Sequence, residues 1–255
     1  MSAAPRRMVD IDPQRLALLN AGLVEASTLT ECLAVDFETL MRAAVPGVGD
    51  DAFAAIGAAV GSGISKRMVL AAELIRDRLG DGAVPWLRQH RSDTVRGWAC
   101  FMVGANPALT LEDRLAAIRP FADDPHFGVR EWSWIAVRPQ LAQDIATAIT
   151  LLADWTGSPS DRLRRFASEA TRPRGVWCSH IPSLKRNPEM ALAILEPLNA
   201  DPSRYVQDSV GNWLNDAAKD RPDWVRDLCA CWQREHDSVA TARICKRALR
   251  SLDRP

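Results

Sequence analysis

Val95-Arg96-Gly97-Trp98, Val129-Arg130-Glu131-Trp132 and Leu163-Arg164-Arg165-Phe166 repeat one pattern: an apolar residue, an arginine, a variable position and an aromatic ring. The arginines Arg96, Arg130 and Arg164 stand 34 residues apart, a period that suits two helices and their turns. A fourth version, Tyr205-Val206-Gln207-Asp208-Ser209-Val210, places Gln207 43 residues after Arg164. Each copy is preceded by an acid at an expected helix start, namely Asp93, Asp124, Asp161 and Asp201. Thr28-Leu29-Thr30-Glu31 has the form of a capping box. Asp124-Pro125, Asn187-Pro188 and Asp201-Pro202 set a capping side chain before a proline suited to the first helical position. With one tyrosine and no alternating runs closed by Asn-Gly or Asp-Gly, strand signals are almost absent. The predicted fold is all-α.

The pattern resembles the HEAT repeat, in which helical pairs stack because no pair can bury its apolar faces alone. It runs from about residue 81 to residue 255, predicted as HEAT-like repeats of one continuous solenoid with a concave DNA-binding face. Residues 1–80 are rich in Ala and Gly, with helices expected around Leu29 to Ala44 and Lys66 to Leu79 and a loop at Gly57 to Gly63. They read as an atypical N-terminal helical cap. A separate small domain is the alternative, but no Ser/Pro-rich linker divides the two parts.

The 255 residues are 47% apolar and carry 32 basic against 32 acidic side chains, which excludes a disordered tail and a uniformly basic nucleic-acid binder. No run reaches the roughly 18 apolar residues of a membrane span, and Met1 to Asp10 lacks a secretory apolar stretch. A soluble, cytoplasmic protein with no membrane contact is expected. Six scattered cysteines and four dispersed histidines predict reduced thiols, no metal and no cofactor.

Charge is distributed unevenly. Ser160 to Met190 holds Arg162, Arg164, Arg165, Arg172, Arg174, Lys185 and Arg186 against Asp161, Glu169 and Glu189. Such a stretch suits either phosphate contact or a solvated helix face. Arginine makes up 28 of the 32 basic residues, and its planar fork matches phosphate. On the second helices, Glu131, Trp134 and Arg138 are expected to share a non-core face, and Glu169 to lie among Arg162, Arg165 and Arg172. Asp216 is expected to stack on Asn212. Acids kept within a basic groove could stabilise a developing positive charge or hold a water. Ordinary intrahelical pairing, as of Arg165 with Glu169, is the plainer reading. Each acid lies about one turn further along its helix than the last, roughly 6 Å of drift per repeat. Superhelical twist must cancel this drift if the acids are to converge.

The segments Arg164 to Trp177, Asp201 to Tyr205 and Ser209 to Pro222 resemble the signature segments of the HEAT-like DNA alkylation repair glycosylases. The AlkC branch is nearer, with AlkD a relative. The resemblance covers about residues 60 to 240 and is strongest from Val129 to Trp224. It implies hydrolysis of the N-glycosidic bond of cationic alkylated bases in double-stranded DNA, chiefly 3-methyladenine, with 3-methylcytosine in the AlkC branch. It also implies a shallow surface in place of the deep pocket of most base-flipping enzymes. Carried over by motif position, Glu169 is the catalytic carboxylate, Glu131 and Asp216 are supporting acids, and Trp177 is an aromatic wall. Arg172 would hold backbone phosphate, with Arg174, Arg165 and Lys66 as further DNA contacts. No lysine is expected in the acidic cluster, so water is the expected nucleophile. Many AlkC-type chains look longer, with a C-terminal immunoglobulin-like domain, and this sequence ends just after its last repeat. Cys178 and His180 do not match the family pattern and are expected to be structural. A non-catalytic HEAT-repeat DNA-structure-binding protein is the competing reading, and a protein–protein scaffold the third. One DNA groove is compatible with a monomer.

Overall fold

The computed structural model describes residues 7–175 and 177–252, and among them there are sixteen α-helices and no strand. The chain forms two compact units, one up to Val137 and one from Arg138. The first contains α1 (Pro13–Asn20), α2 (Leu29–Ala34), α3 (Phe37–Ala44), α4 (Asp50–Ala58), α5 (Ile64–Leu79), α6 (Val84–Arg88), α7 (Asp93–Ala105), α8 (Leu111–Ala122) and the first part of α9 (Phe127–Gln143). The second contains the rest of α9, α10 (Ile145–Ala153), α11 (Asp161–Ala170), α12 (Pro182–Arg186), α13 (Leu192–Leu195), α14 (Arg204–Ala218), α15 (Pro222–Glu235) and α16 (Val239–Leu249). The boundary expected near residue 80 falls inside the first unit, where α5 packs on α7. The helix expected over Leu29 to Ala44 is broken by Asp36, which accepts a hydrogen bond from the Thr39 N–H and starts α3.

The repeating arginines have one shared task. Nη1 of Arg96 donates to the carbonyls of His90 and Arg91, both at 2.9 Å. Arg130 does the same to Asp124 and Pro125, both at 2.8 Å, and Arg164 to Ser158 and Pro159 at 2.8 and 3.2 Å. At the fourth copy Nε2 of Gln207 donates to the Asp201 carbonyl at 2.7 Å. Each side chain thus folds back over the turn that leads into its own helix, satisfying carbonyls that the helix cannot reach. Arg96 and Arg164 also grip the acid of a later turn, Asp124 at 3.0 Å and Asp201 at 2.6 Å. Arg164 is therefore a structural brace, although it was counted in the basic stretch suited to phosphate.

This bracing changes two expected helix starts. Asp124 and Asp201 do not cap a helix beginning at the following proline. Each accepts from the N–H two residues on, His126 at 2.7 Å and Ser203 at 2.8 Å, and the helices begin at Phe127 and Arg204. The turn around the proline orients the carboxylate toward its arginine.

The apolar stripes are placed as expected: Val95, Trp98, Val129, Trp132, Leu163, Phe166, Val206, Val210, Trp213, Leu214 and Ala217 are all buried. In the first unit α7 and α9 approach closely at Gly104, where a Cβ would lie 2.3 Å from the Ala136 carbonyl oxygen. Arg114 satisfies the carbonyls of Val103, Gly104, Asn106 and Leu109 after α7, at 2.7 to 3.0 Å. These arginines close helix ends and turns, which removes them from the supply available to a ligand.

Candidate functional site

The end of α11 carries a buried charge cluster. Glu169 lies in the last turn of α11, and Arg172 follows just past it. Ser209 and Asp216 stand on α14 seven residues apart, two turns along one face. The indole N–H of Trp213, between them, donates to the Thr171 carbonyl at 2.9 Å and fixes α14 to the end of α11. Arg172 bridges the acids: Nη1 donates to Glu169 Oε1 at 2.7 Å, while Nε and Nη2 reach Asp216 Oδ2 at 2.9 and 2.7 Å. The Ser209 hydroxyl donates to Glu169 Oε2 at 2.7 Å. Arg165, stacked over the Tyr205 ring, brings Nη2 within 3.5 Å of the same oxygen. Lys219 Nζ lies 3.4 Å from Asp216 Oδ1.

Burial pushes the Glu169 carboxyl up. The Arg165 and Arg172 charges, with hydrogen bonds from Ser209 and Arg172, outweigh burial and hold it below its ordinary value. Burial works against the Arg172 charge, and Glu169 and Asp216 overcome it, so its guanidinium is held more firmly protonated than usual. Glu169 and Arg172 are thus held as a fixed ion pair. Glu169 and Asp216 are each only 4% exposed.

Backbone carbonyls around the end of α11 and the segment after it are held at several points. The Ile181 N–H donates to the Pro173 carbonyl at 3.0 Å. Buried Arg138 donates to the carbonyls of Ala170, Arg172 and Ser179 at 2.7, 2.5 and 3.2 Å. Trp177 projects from this loop half exposed at 50%, with φ +60°. That left-handed conformation is costly for a residue with a Cβ. The Cys178 thiol is pushed up, first by burial, with Arg138 and Arg172 opposing, so it is not set up as a thiolate.

Several expected placements change. Trp134 and Arg138 do not share an exposed face with Glu131: both are 2% exposed. Every residue from Trp132 to Arg138 is buried, so α9 has no solvent stripe there for periodicity to reveal. Glu131, in the first unit, is intermediate in exposure and accepts from the Trp134 indole N–H at 2.9 Å. Arg172 and Arg165, expected on phosphate, turn toward carboxylates and are 9% and 8% exposed. Arg174 makes three hydrogen bonds of 2.9 to 3.1 Å with Asp220. Asp216 pairs with Arg172 and Lys219, whereas Asn212 accepts from Arg247. A lysine does touch the acidic cluster, through Lys219. Lys66 is exposed on the first turn of α5 in the first unit.

Sequence reasoning passed over Arg221 and did not single out Lys185 and Arg186. In the second unit these three line an open depression of about 390 Å³ with Pro182 and Asp220. Lys185 and Arg186 already stood in the basic stretch, which was the signal available.

Residues 128–248 match the family model described as DNA alkylation repair enzyme. The match covers 121 of the 255 residues, just under half of the chain. The buried cluster and the Trp177 loop lie wholly within it. An uncharacterized protein of Bacillus subtilis (strain 168), YhaZ, is 42% identical over 120 residues, 47% of this chain and 33% of its own length. Among solved structures, the Pseudomonas fluorescens alkylpurine DNA glycosylase AlkC, bound to DNA containing an abasic site analog, superimposes with a TM-score of 0.69 at 24% identity. That likeness covers 98% of this chain and 65% of AlkC. AlkD2 from Streptococcus mutans gives 0.57 at 23% identity over 80% of this chain and 90% of that protein. The chain therefore spans about a third of YhaZ and 65% of the AlkC structure. At these identities the structural likeness shows the fold, the all-α, HEAT-like helical repeat predicted from the 34-residue spacing.

Proposed function

We propose that this protein is a DNA glycosylase that hydrolyses the N-glycosidic bond of cationic alkylated bases in duplex DNA, 3-methyladenine and 3-methylcytosine among them. The observation that carries the reading is a carboxylate, Glu169, kept ionised in a buried site beside a loop that presents an exposed indole. An alkylated base already bears the positive charge that makes it a good leaving group. Departure leaves an oxocarbenium-like sugar, so catalysis needs fixed negative charge and a water, not a proton donor. A carboxyl held below its usual value cannot serve as a general acid at neutral pH. Glu169 and Asp216 are assigned to the fixed field, with Arg172 as the residue that positions them. Glu131, in the first unit, keeps the role of supporting acid that the resemblance implies, its carboxylate fixed by Trp134. Trp177 supplies an aromatic face suited to a cationic base. Support also comes from the family match and from AlkC, whose structure was solved with DNA.

One observation favours a second reading. Glu169 and Asp216 are buried and paired with arginine, as in a structural ion cluster, which would leave a DNA-binding protein without catalysis. The deciding experiment is release of free bases from dimethyl sulfate-treated duplex, chromatographed against 3-methyladenine and 3-methylcytosine standards, with wild type, Glu131→Gln and Glu169→Ala. Release by wild type, with loss of at least about a hundredfold in Glu131→Gln, is expected. Duplex binding without release in any protein would establish the second reading. Borohydride trapping of a covalent adduct through Lys219 would replace water as the nucleophile.

A further inference from the structure

The arginines expected on phosphate are largely engaged inside the protein, which raises the question of what holds the DNA backbone. In the second unit α12 ends with Lys185 and Arg186, and Arg221 directly precedes α15. Arg221 donates through Nη1 to the Arg186 carbonyl and lies 4.0 Å from Glu189. This ties the end of α12 to the start of α15. Asp220 binds Arg174 through both oxygens and has Lys185 Nζ at 3.7 Å. Three cations, Lys185, Arg186 and Arg221, therefore line the depression with one carboxylate, Asp220, which Arg174 already engages through both oxygens. Arg186 is exposed and its guanidinium has no ion pair among the described residues. The Lys185 and Arg221 side chains remain 27% and 42% exposed. In contrast to Arg165 and Arg172, these groups can meet an external anion without first breaking a buried pair.

We propose that the depression lined by Lys185, Arg186 and Arg221 is a phosphodiester-binding site that grips the backbone of duplex DNA, with Asp220 positioning Arg174 and Lys185 at its edge. The proposal rests on the glycosylase reading for its choice of partner, and it replaces Arg172 and Arg165 as phosphate contacts. Its cations act by displacing counterions, so their contribution is independent of base sequence and of damage.

The test is fluorescence anisotropy of a labelled, undamaged duplex across a series of NaCl concentrations, with base release measured in parallel. Wild type, Lys185→Ala/Arg186→Ala, Arg221→Ala and the surface control Arg226→Ala are compared. The slope of log K against log salt is expected to be shallower by about 0.9 for each contact removed, with affinity lower by roughly five- to tenfold per cation at ~0.1 M salt. Thermal midpoints should stay unchanged in Lys185→Ala/Arg186→Ala, because exposed ion pairs contribute little to folding, and fall slightly in Arg221→Ala, which also loses its bond to the Arg186 carbonyl. Inorganic phosphate at constant ionic strength should not compete; full competition would make the site one for free phosphate and overturn the proposal. An unchanged slope in the variants, or an equal change in Arg226→Ala, would also overturn it and leave the glycosylase reading intact. Tight, salt-dependent binding without base release would keep this site and remove the enzymatic reading. No duplex binding by wild type would remove both.

Discussion

The starts of α7, α9 and α11 and the end of α11 treat arginine in different ways. At the starts, Arg96, Arg130 and Arg164 each reach back to carbonyls five and six residues earlier, so one sequence rule produces one geometry three times. At the end of α11 the rule stops. Arg172 reaches across to α14, binds one acid three residues before it and another 44 residues after it, and precedes a loop carrying a left-handed tryptophan. Regularity here marks scaffold, and the proposed site lies where the repeat is interrupted. Gln207, which keeps the backbone contact of the repeat without its charge, shows that the carbonyl bond is the part the scaffold requires.

The comparison breaks most visibly at Arg172. Its removal leaves Glu169 and Asp216 buried without their shared partner, and losing one member of a buried pair costs about 3–5 kcal/mol. Arg172→Ala is therefore expected to lower the free energy of unfolding, read from urea denaturation, by about that amount. In a Glu169→Gln/Asp216→Asn background the same substitution should cost far less, since the stranded charges are gone. An equal cost in both backgrounds would show that Arg172 acts by packing alone.

A smaller effect is expected at Arg164. Arg164→Gln imitates the fourth copy: the bond to the preceding turn is kept and the pair with Asp201 is lost. A hydrogen bond to a charged group contributes about 1.5–3 kcal/mol, and urea denaturation should register a loss in that range with base release unaffected. A loss of base release at unchanged stability would move Arg164 from the scaffold to the site.

These contrasts also explain what the sequence could and could not disclose. The helical repeat was legible because Arg96, Arg130 and Arg164 recur with their apolar neighbours, and a repeated local task leaves a repeated local pattern. Trp134 and Arg138 do not share the non-core face expected for them with Glu131, because periodicity reports a helix with one wet side and α9 from Trp132 to Arg138 is buried all round. Arg172 and Arg165 were read as phosphate contacts because charge in a sequence does not name its partner, and Asp216 and Ser209 arrive only when α14 packs on α11. Asp124-Pro125 and Asp201-Pro202 carried a valid capping signal, overridden by an arginine that claims the same carboxylate. The positive φ of Trp177 has no sequence signature, since glycine or asparagine is the residue a left-handed position predicts.

Trp177 gives the smallest energetic effect and the sharpest division between scaffold and site. Glycine at this position removes the clash of a Cβ with its own backbone, and the left-handed conformation costs roughly 1–2 kcal/mol in an ordinary residue. The ring is half exposed, so little buried area is lost with it. Trp177→Gly is expected to raise stability by about 1 kcal/mol while base release falls. For a residue held against its own backbone preference, in a loop anchored by Arg138 and by the bond from Ile181 to Pro173, the glycosylase proposal supplies a reason in contact between its ring and the base. If the glycine variant is instead less stable and equally active, the indole belongs to the packing of the loop, and the end of α11 is scaffold like its start.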